Sequence, residues 1–293
     1  MTPEPVEQMV REWEAVGRTF DVDGRSVWFL DAPALHGERD EPLLVLHGFP
    51  SCSFDWRLVL DDLRAHRRVI APDFLGFGLS DKPDLRYSMR LQADVVEAVA
   101  RQLELRSVAL LTHDMGDTVG GELLARDLEG TLPFDITRRV LTNGSIYIGM
   151  AHLSTGQELL LSLEDAPTEL VVADGYKAGL AATFSPKSSV AAEELDAQWL
   201  FAERNGGNRM LPRTIRYIED RRAEERRFTG AIEAHASPLS VVWGADDPIA
   251  IVAMTDELLR ARPGTPVTVL DDVGHYPMIE SPARFAEAVT SGL

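Results

Sequence analysis

Short apolar runs alternate with amphipathic stretches along most of the chain. Apolar or β-branched runs occupy residues 26–30, 43–46, 68–71, 107–111, 140–142, 239–243 and 266–270. Between two of them, residues 89–103 carry Leu91, Val95, Val96, Val99 and Leu103 at the spacing of one helix face. Strand and helix signals in alternation predict an α/β fold with a mostly parallel sheet covered by helices. In an open sheet of that kind ligands collect at the carboxyl ends of the strands, so the residues just after each run are where chemistry is to be sought.

The alternation breaks once. Residues 143–238 separate two strand signals, far more chain than the usual connection of roughly 2–6 residues. Within that span residues 158–163, 191–201 and 215–227 mix apolar and polar positions in helix-compatible patterns. The expected organisation is an α/β core built from residues 1–143 and 238–293, with residues 144–237 forming a helical cap over the strand ends. There are no internal repeats or low-complexity tracts.

Composition narrows the function classes. Of 293 residues 45% are hydrophobic and 26% charged, as in ordinary globular proteins. A net charge of −18 argues against nucleic-acid binding, which needs clustered Lys and Arg. The arginines at 221, 222, 226 and 227 are interleaved with Glu219, Asp220, Glu224 and Glu225, which reads as a solvated helix face. Cys52 is the only cysteine, so no internal disulfide can form and a reducing compartment suits the chain. The start, Met1-Thr2-Pro3-Glu4-Pro5, has no basic segment followed by an apolar one, and no apolar run is long enough to span a bilayer. A cytoplasmic location is expected. No metal cluster or cofactor loop is visible; Gly76-Phe77-Gly78 lacks the context of a nucleotide site. The oligomeric state is not legible.

Four pieces with chemical potential fall at strand ends: His47-Gly48-Phe49-Pro50, Thr112-His113-Asp114-Met115-Gly116, Gly244-Ala245-Asp246-Asp247-Pro248 and Gly274-His275-Tyr276-Pro277. Each alone has an ordinary reading: an Asp before a helix is a cap, Gly-Ala-Asp-Asp-Pro is a turn, and His47 shapes its loop. Together they repeat the order nucleophile, acid, histidine of the α/β-hydrolase triad. A strand that turns sharply into a helix, with small residues around one reactive side chain, is the nucleophile elbow of that fold. No Gly-x-Ser-x-Gly occurs, and the residue at the elbow is Asp114.

With these residues the chain resembles the aspartate-nucleophile branch of the α/β-hydrolases, which holds epoxide hydrolases and haloalkane dehalogenases. It is similar over nearly its whole length to the mesoderm-specific transcript (MEST) hydrolase-like group. That likeness is carried by the segments beginning at His47, Asp73, His113 and Asp271, the second reading Asp73-Phe74-Leu75-Gly76-Phe77-Gly78-Leu79-Ser80-Asp81-Lys82-Pro83.

A carboxylate attacking an ester would give a labile anhydride, whereas attack on a saturated carbon gives a stable covalent ester that water can split. His275 would activate that water and Asp247 would hold its tautomer; the resemblance places the acid at Asp247 rather than Asp246. Backbone N–H groups of Phe49 and Met115 are the expected oxyanion hole. The resemblance implies a tyrosine donor for a departing epoxide oxygen, and Tyr217 stands in the matching stretch; Tyr147 and Tyr176 match no such position, and His152 or Gln157 could add a polar contact. A halide would need donors that Met115 and Phe49 side chains lack, and Trp199 reads as packing. No arginine follows Asp114 in the first turn to hold a carboxylate substrate. The expected activity is hydrolysis of a small apolar epoxide to a vicinal diol. The alternatives are haloalkane dehalogenation, a binding protein on a hydrolase fold, and lyase or C–C hydrolase chemistry.

Overall fold

The computed structural model describes residues 4–293. Residues 1–3, part of the polar start read above as lacking a leader, lie outside the described residues. Helix α1 (Glu4–Val16) leads into an eight-stranded sheet ordered β1-β2-β4-β3-β5-β6-β7-β8. Its strands are β1 (Gly17–Val22), β2 (Arg25–Ala32), β3 (Leu43–Leu46), β4 (Val69–Pro72), β5 (Ser107–His113), β6 (Asp135–Thr142), β7 (Leu239–Gly244) and β8 (Val267–Leu270). β1 and β2 run antiparallel at one edge, and β4, β3, β5, β6, β7 and β8 pair in parallel.

The central strands are buried on both faces, which is why they read as unbroken apolar runs; Leu43, Leu44, Val45 and Leu46 of β3 are wholly inaccessible. β1 escaped the sequence pattern because its Gly-Arg-Thr-Phe-Asp-Val stretch is polar and half exposed at an edge. Its signal lay instead in the Asp23-Gly24 turn, where both residues have positive φ (52° and 78°), the geometry that two-residue hairpins require.

Helices α2 (Leu60–Leu63), α3 (Met89–Gln102) and α4 (Met115–Leu128) alternate with the first strands of the parallel set. Ser88 caps α3 by accepting the Leu91 N–H at 3.1 Å. Between β6 and β7 come α5 (Thr155–Ser162), α6 (Ala173–Ala181), α7 (Ala192–Glu203), α8 (Leu211–Thr214) and α9 (Tyr217–Ala234), with no strand among them. Helices α10 (Ala253–Ala261), α11 (Pro277–Glu280) and α12 (Pro282–Gly292) complete the chain. Among the described residues, no helix is long and apolar enough to cross a membrane.

The helical insert is fastened to the core along α9. Gly121 of α4 lets the two backbones approach, since a Cβ there would lie 2.8 Å from the Phe228 carbonyl oxygen. Beside it the buried Glu122 carboxylate accepts Arg227 Nε at 2.5 Å and Arg126 Nε at 2.9 Å, and Arg227 also reaches Glu129. Here one sequence expectation is corrected: Arg221 does not lie on a solvated face but is 3% exposed. It follows Tyr217 by four residues and precedes Phe228 by seven, so it shares their inward stripe. Its Nε donates to Thr118 Oγ1 at 2.9 Å and its guanidinium lies 5.0 Å over the Tyr217 ring.

Candidate active site

The carboxyl ends of five neighbouring strands, β3, β5, β6, β7 and β8, bring the candidate residues together. Asp114 sits at the turn from β5 into α4 with φ 51° and ψ −112°, a backbone conformation that non-glycine residues adopt only where surroundings enforce it. The enforcement is visible in close neighbours without side-chain bulk. A Cβ on Gly48 would lie 2.8 Å from Asp114 Oδ2, and one on Gly116 would meet the Leu46 carbonyl oxygen at 2.5 Å. The Phe49 N–H donates to Asp114 Oδ2 at 2.8 Å. Met115 opens α4, where first-turn N–H groups have no partner inside the helix. One carboxylate oxygen is therefore held by a backbone donor, and the other, Oδ1, faces His275 Nε2 at 3.8 Å, too far for a direct hydrogen bond.

The opposite ring nitrogen of His275, Nδ1–H, donates to Asp247 Oδ2 at 2.8 Å. Asp247 is itself fixed: its Oδ1 accepts the N–H groups of Ile249 and Ala250 at 2.8 and 3.0 Å. Asn143, directly after β6, donates Nδ2 to Asp247 Oδ2 at 2.7 Å and accepts the Gly244 N–H at 3.0 Å. Asp246 is occupied elsewhere, accepting from Ser185 Oγ at 2.6 Å. Of the two adjacent aspartates, it is Asp247 that bonds the His275 ring. Asn143 was not anticipated, although an Asn-Gly pair at the end of a strand signal, here with φ 50° at Asn143, marks a special turn.

His275 lies on a supported loop. Its N–H donates to the Thr183 carbonyl of the insert at 3.0 Å, and the His275 carbonyl accepts from His113 Nε2–H at 2.8 Å. Burial opposes charge on the His275 ring, but the carboxylates of Asp247 and Asp114 outweigh it and push its pKa up to about 9. Burial holds His113 well below the usual histidine range, so that ring is neutral. One turn beyond Asp114, Asp117 is buried with Thr112 Oγ1–H donating to it. Burial and the nearby Asp114 charge push its pKa well up. His47 serves its loop, with Nε2 accepting the Phe74 N–H at 3.0 Å and Nδ1–H donating to the Gly48 carbonyl at 2.9 Å.

A cleft of about 180 Å³ opens between core and insert, and Phe49, His275 and Tyr276 line its floor. Asp114, 1% exposed, does not line it; the two groups it faces do. Tyr217 is also fully buried and stacks beside Phe49 with ring centroids 5.6 Å apart. It lines not the cleft but a smaller cavity of about 30 Å³ behind it, shared with Arg221 and Gln157. Gln157 lines both spaces. Burial and the Asp114 charge raise the Tyr217 pKa, so the phenol stays protonated. Two tyrosines given no role by the sequence do line the cleft, but their hydroxyls are engaged: Tyr176 donates to the Pro50 carbonyl at 3.3 Å and Tyr276 to the Phe49 carbonyl at 3.2 Å. His152 is exposed and lines neither space; Trp199 packs on Tyr176, centroids 5.6 Å apart, and likewise lines neither. Tyr147 donates to Glu233 at 3.0 Å, away from both cavities. Cys52 is buried and its thiol pKa is pushed well up by burial. No cluster of metal-ligating side chains occurs among the described residues.

Residues 43–288 match the alpha/beta hydrolase family. The chain belongs to that family. This α/β-hydrolase is 42% identical to LipZ of Mycobacterium tuberculosis, a protein bearing a hydrolase name, across 96% of this chain and 97% of LipZ. It is 35% identical to the human mesoderm-specific transcript homolog protein, across 98% of this chain and 88% of that one. It is 27% identical to a cis-3-alkyl-4-alkyloxetan-2-one decarboxylase of Shewanella oneidensis, across 81% and 77%. Among solved structures, Cfl2 of Burkholderia cenocepacia superposes with a TM-score of 0.78 at 21% identity, covering 94% of each chain. The α/β-hydrolase fold expected from the strand and helix pattern is therefore shown, and so is kinship with the mesoderm-specific transcript group.

Proposed function

We propose that this hydrolase opens epoxides through a covalent ester on Asp114 and releases vicinal diols. The observation that carries the reading is the division of labour between the two Asp114 oxygens: Oδ2 held at 2.8 Å by the Phe49 N–H, Oδ1 facing the His275 ring at 3.8 Å. In the first step Oδ1 attacks an epoxide carbon, the carbon–oxygen bond breaks, and the departing oxygen takes a proton from Tyr217. In the second, His275 Nε2 takes a proton from water as the water oxygen adds to the Asp114 carboxyl carbon. The negative charge that develops on Oδ2 then sits against the Phe49 and Met115 N–H groups. Collapse breaks the bond from the carboxyl carbon to Oδ1, which leaves with the diol and takes the His275 proton; the proton left on the new Asp114 carboxyl passes to the Tyr217 phenolate and restores the starting state.

Esterification removes the Asp114 charge, one of the carboxylate charges that raise the His275 pKa. The loss of that charge shifts the imidazole toward its free base when the intermediate forms, which is when a base is needed. In this reading residues 144–237 act as the cap, carrying Tyr217 and screening the ester from bulk water. Haloalkane dehalogenation is supported less well, because neither Met115 nor Phe49 offers a side-chain donor and Trp199 lies off the cleft.

His275→Gln incubated with 1,2-epoxyhexane should gain the mass of one epoxide, and Asp114→Asn should gain none. A single turnover of the unaltered protein in ¹⁸O-water should leave the label in Asp114 and not in the first diol released. Unmodified His275→Gln protein across epoxides and haloalkanes alike would overturn the covalent route.

A further inference from the structure

We propose that the cleft between α5 and α6 receives an unbranched alkyl chain, so that the electrophile is the head of a long hydrocarbon tail pointing outward. The proposal rests on the reading of His275 and Asp114 above and names the class of substrate that site takes. His275, 2% exposed, presents to the cleft floor an Nε2 that makes no hydrogen bond. Above that floor no Asp, Glu, Lys or Arg lines the cleft, in a chain where 26% of residues are charged. The walls are mainly aliphatic, with Leu160, Val171, Leu180, Leu211 and Ile249 beside the uncharged Ser154, Gln157 and Thr183. Apart from His275 on the floor, nothing there could neutralise a carboxylate or phosphate, and burying either unpaired among these walls is costly.

The mouth has the same character. Leu159, Leu170 and Val172 line it while 60%, 70% and 59% exposed. Exposed large apolar side chains gathered at a cavity entrance mark a surface that a ligand covers. Helix α6 adds Gly175 and Gly179, four residues apart on the edge of the cleft. Glycine inside a helix is unfavourable, and neither position needs it for packing or backbone geometry, because a Cβ at either would meet nothing within 4 Å. What a side chain at these positions would obstruct is the cleft.

A tail lying along this path gains burial with each methylene until it clears Leu170. In a series of 1,2-epoxyalkanes lengthened from propane to dodecane, kcat/KM should rise roughly threefold per methylene over the buried part and then level off. Gly179→Leu should flatten that slope. A flat dependence on length, or a preference for styrene oxide over 1,2-epoxydecane, would overturn the proposal. Should no epoxide react, the reading of Asp114 fails, yet the tail site is still decided by calorimetry with the unreactive 1,2-alkanediols. A Kd that falls from butane- to decanediol in the unaltered protein, and less in Gly179→Leu, supports the site; Kd values independent of length overturn it.

Discussion

The two flanks of the helical insert meet the core in opposite ways. Along α9 the contact is tight: Gly121 admits the Phe228 backbone, Glu122 is shared by Arg126 and Arg227, and Arg221 is buried over Tyr217. Along α5 and α6 the insert stands off, with glycines and exposed leucines bordering an open cleft. The contrast suits two demands. A proton donor must be held to within fractions of an ångström, whereas an apolar chain is bound by area and tolerates slack. On the proposed reading, rigidity falls on the α9 side because Tyr217 stands there, and Gly175 and Gly179 leave the other side permissive.

The floor common to both flanks gives the largest expected effect. The His275 pKa is raised from 6.5 to about 9 in the folded protein. Its stabilising contribution is therefore fully present below pH 6.5 and is lost as pH rises toward 9. At full extent it amounts to about 3 kcal/mol. Urea unfolding should show stability falling across that window, and His275→Gln should remove most of that fall. An unchanged pH dependence in the variant would show that the imidazole is not held as a cation.

On the tight flank, Glu122→Ala leaves Arg126 and Arg227 short of one shared carboxylate and should cost about 2–3 kcal/mol by the same measurement. Gly121→Ala forces a methyl against the Phe228 backbone and should cost about 1–2 kcal/mol; because the displaced helix carries Tyr217, it should also lower kcat on epoxides more than it raises KM. On the open flank the sign reverses. Gly175→Ala should raise stability by about 0.5–1 kcal/mol, read as a Tm increase of about 2 °C. A loss of stability there would mean that α6 packs more closely than the cleft implies.

The sheet and the triad candidates were legible because both are written locally. Doubly buried parallel strands have to be apolar throughout, and Asp114 and Asp247 each sit in a Gly- or Pro-marked turn after such a strand, while His275 sits in one after the partly exposed edge strand β8. What escaped depends on contacts between distant segments. Nothing near Asn143 in sequence indicates that its amide will meet Asp247, 104 residues on. Arg221 lies among acidic neighbours, and only its phase relative to Tyr217 and Phe228 signals burial. Tyr176 and Tyr276 reach the cleft through the fold of the insert over the core, and no spacing in the sequence reports that.

The sealed position of Cys52 has a practical consequence for chemical labelling. Thiols ordinarily win the competition for soft electrophiles, and here the only one is both inaccessible and disinclined to ionise. An epoxide-bearing reagent added to the native protein therefore meets no accessible thiol, and activity-based tagging can be tuned to a carboxylate without first blocking cysteine.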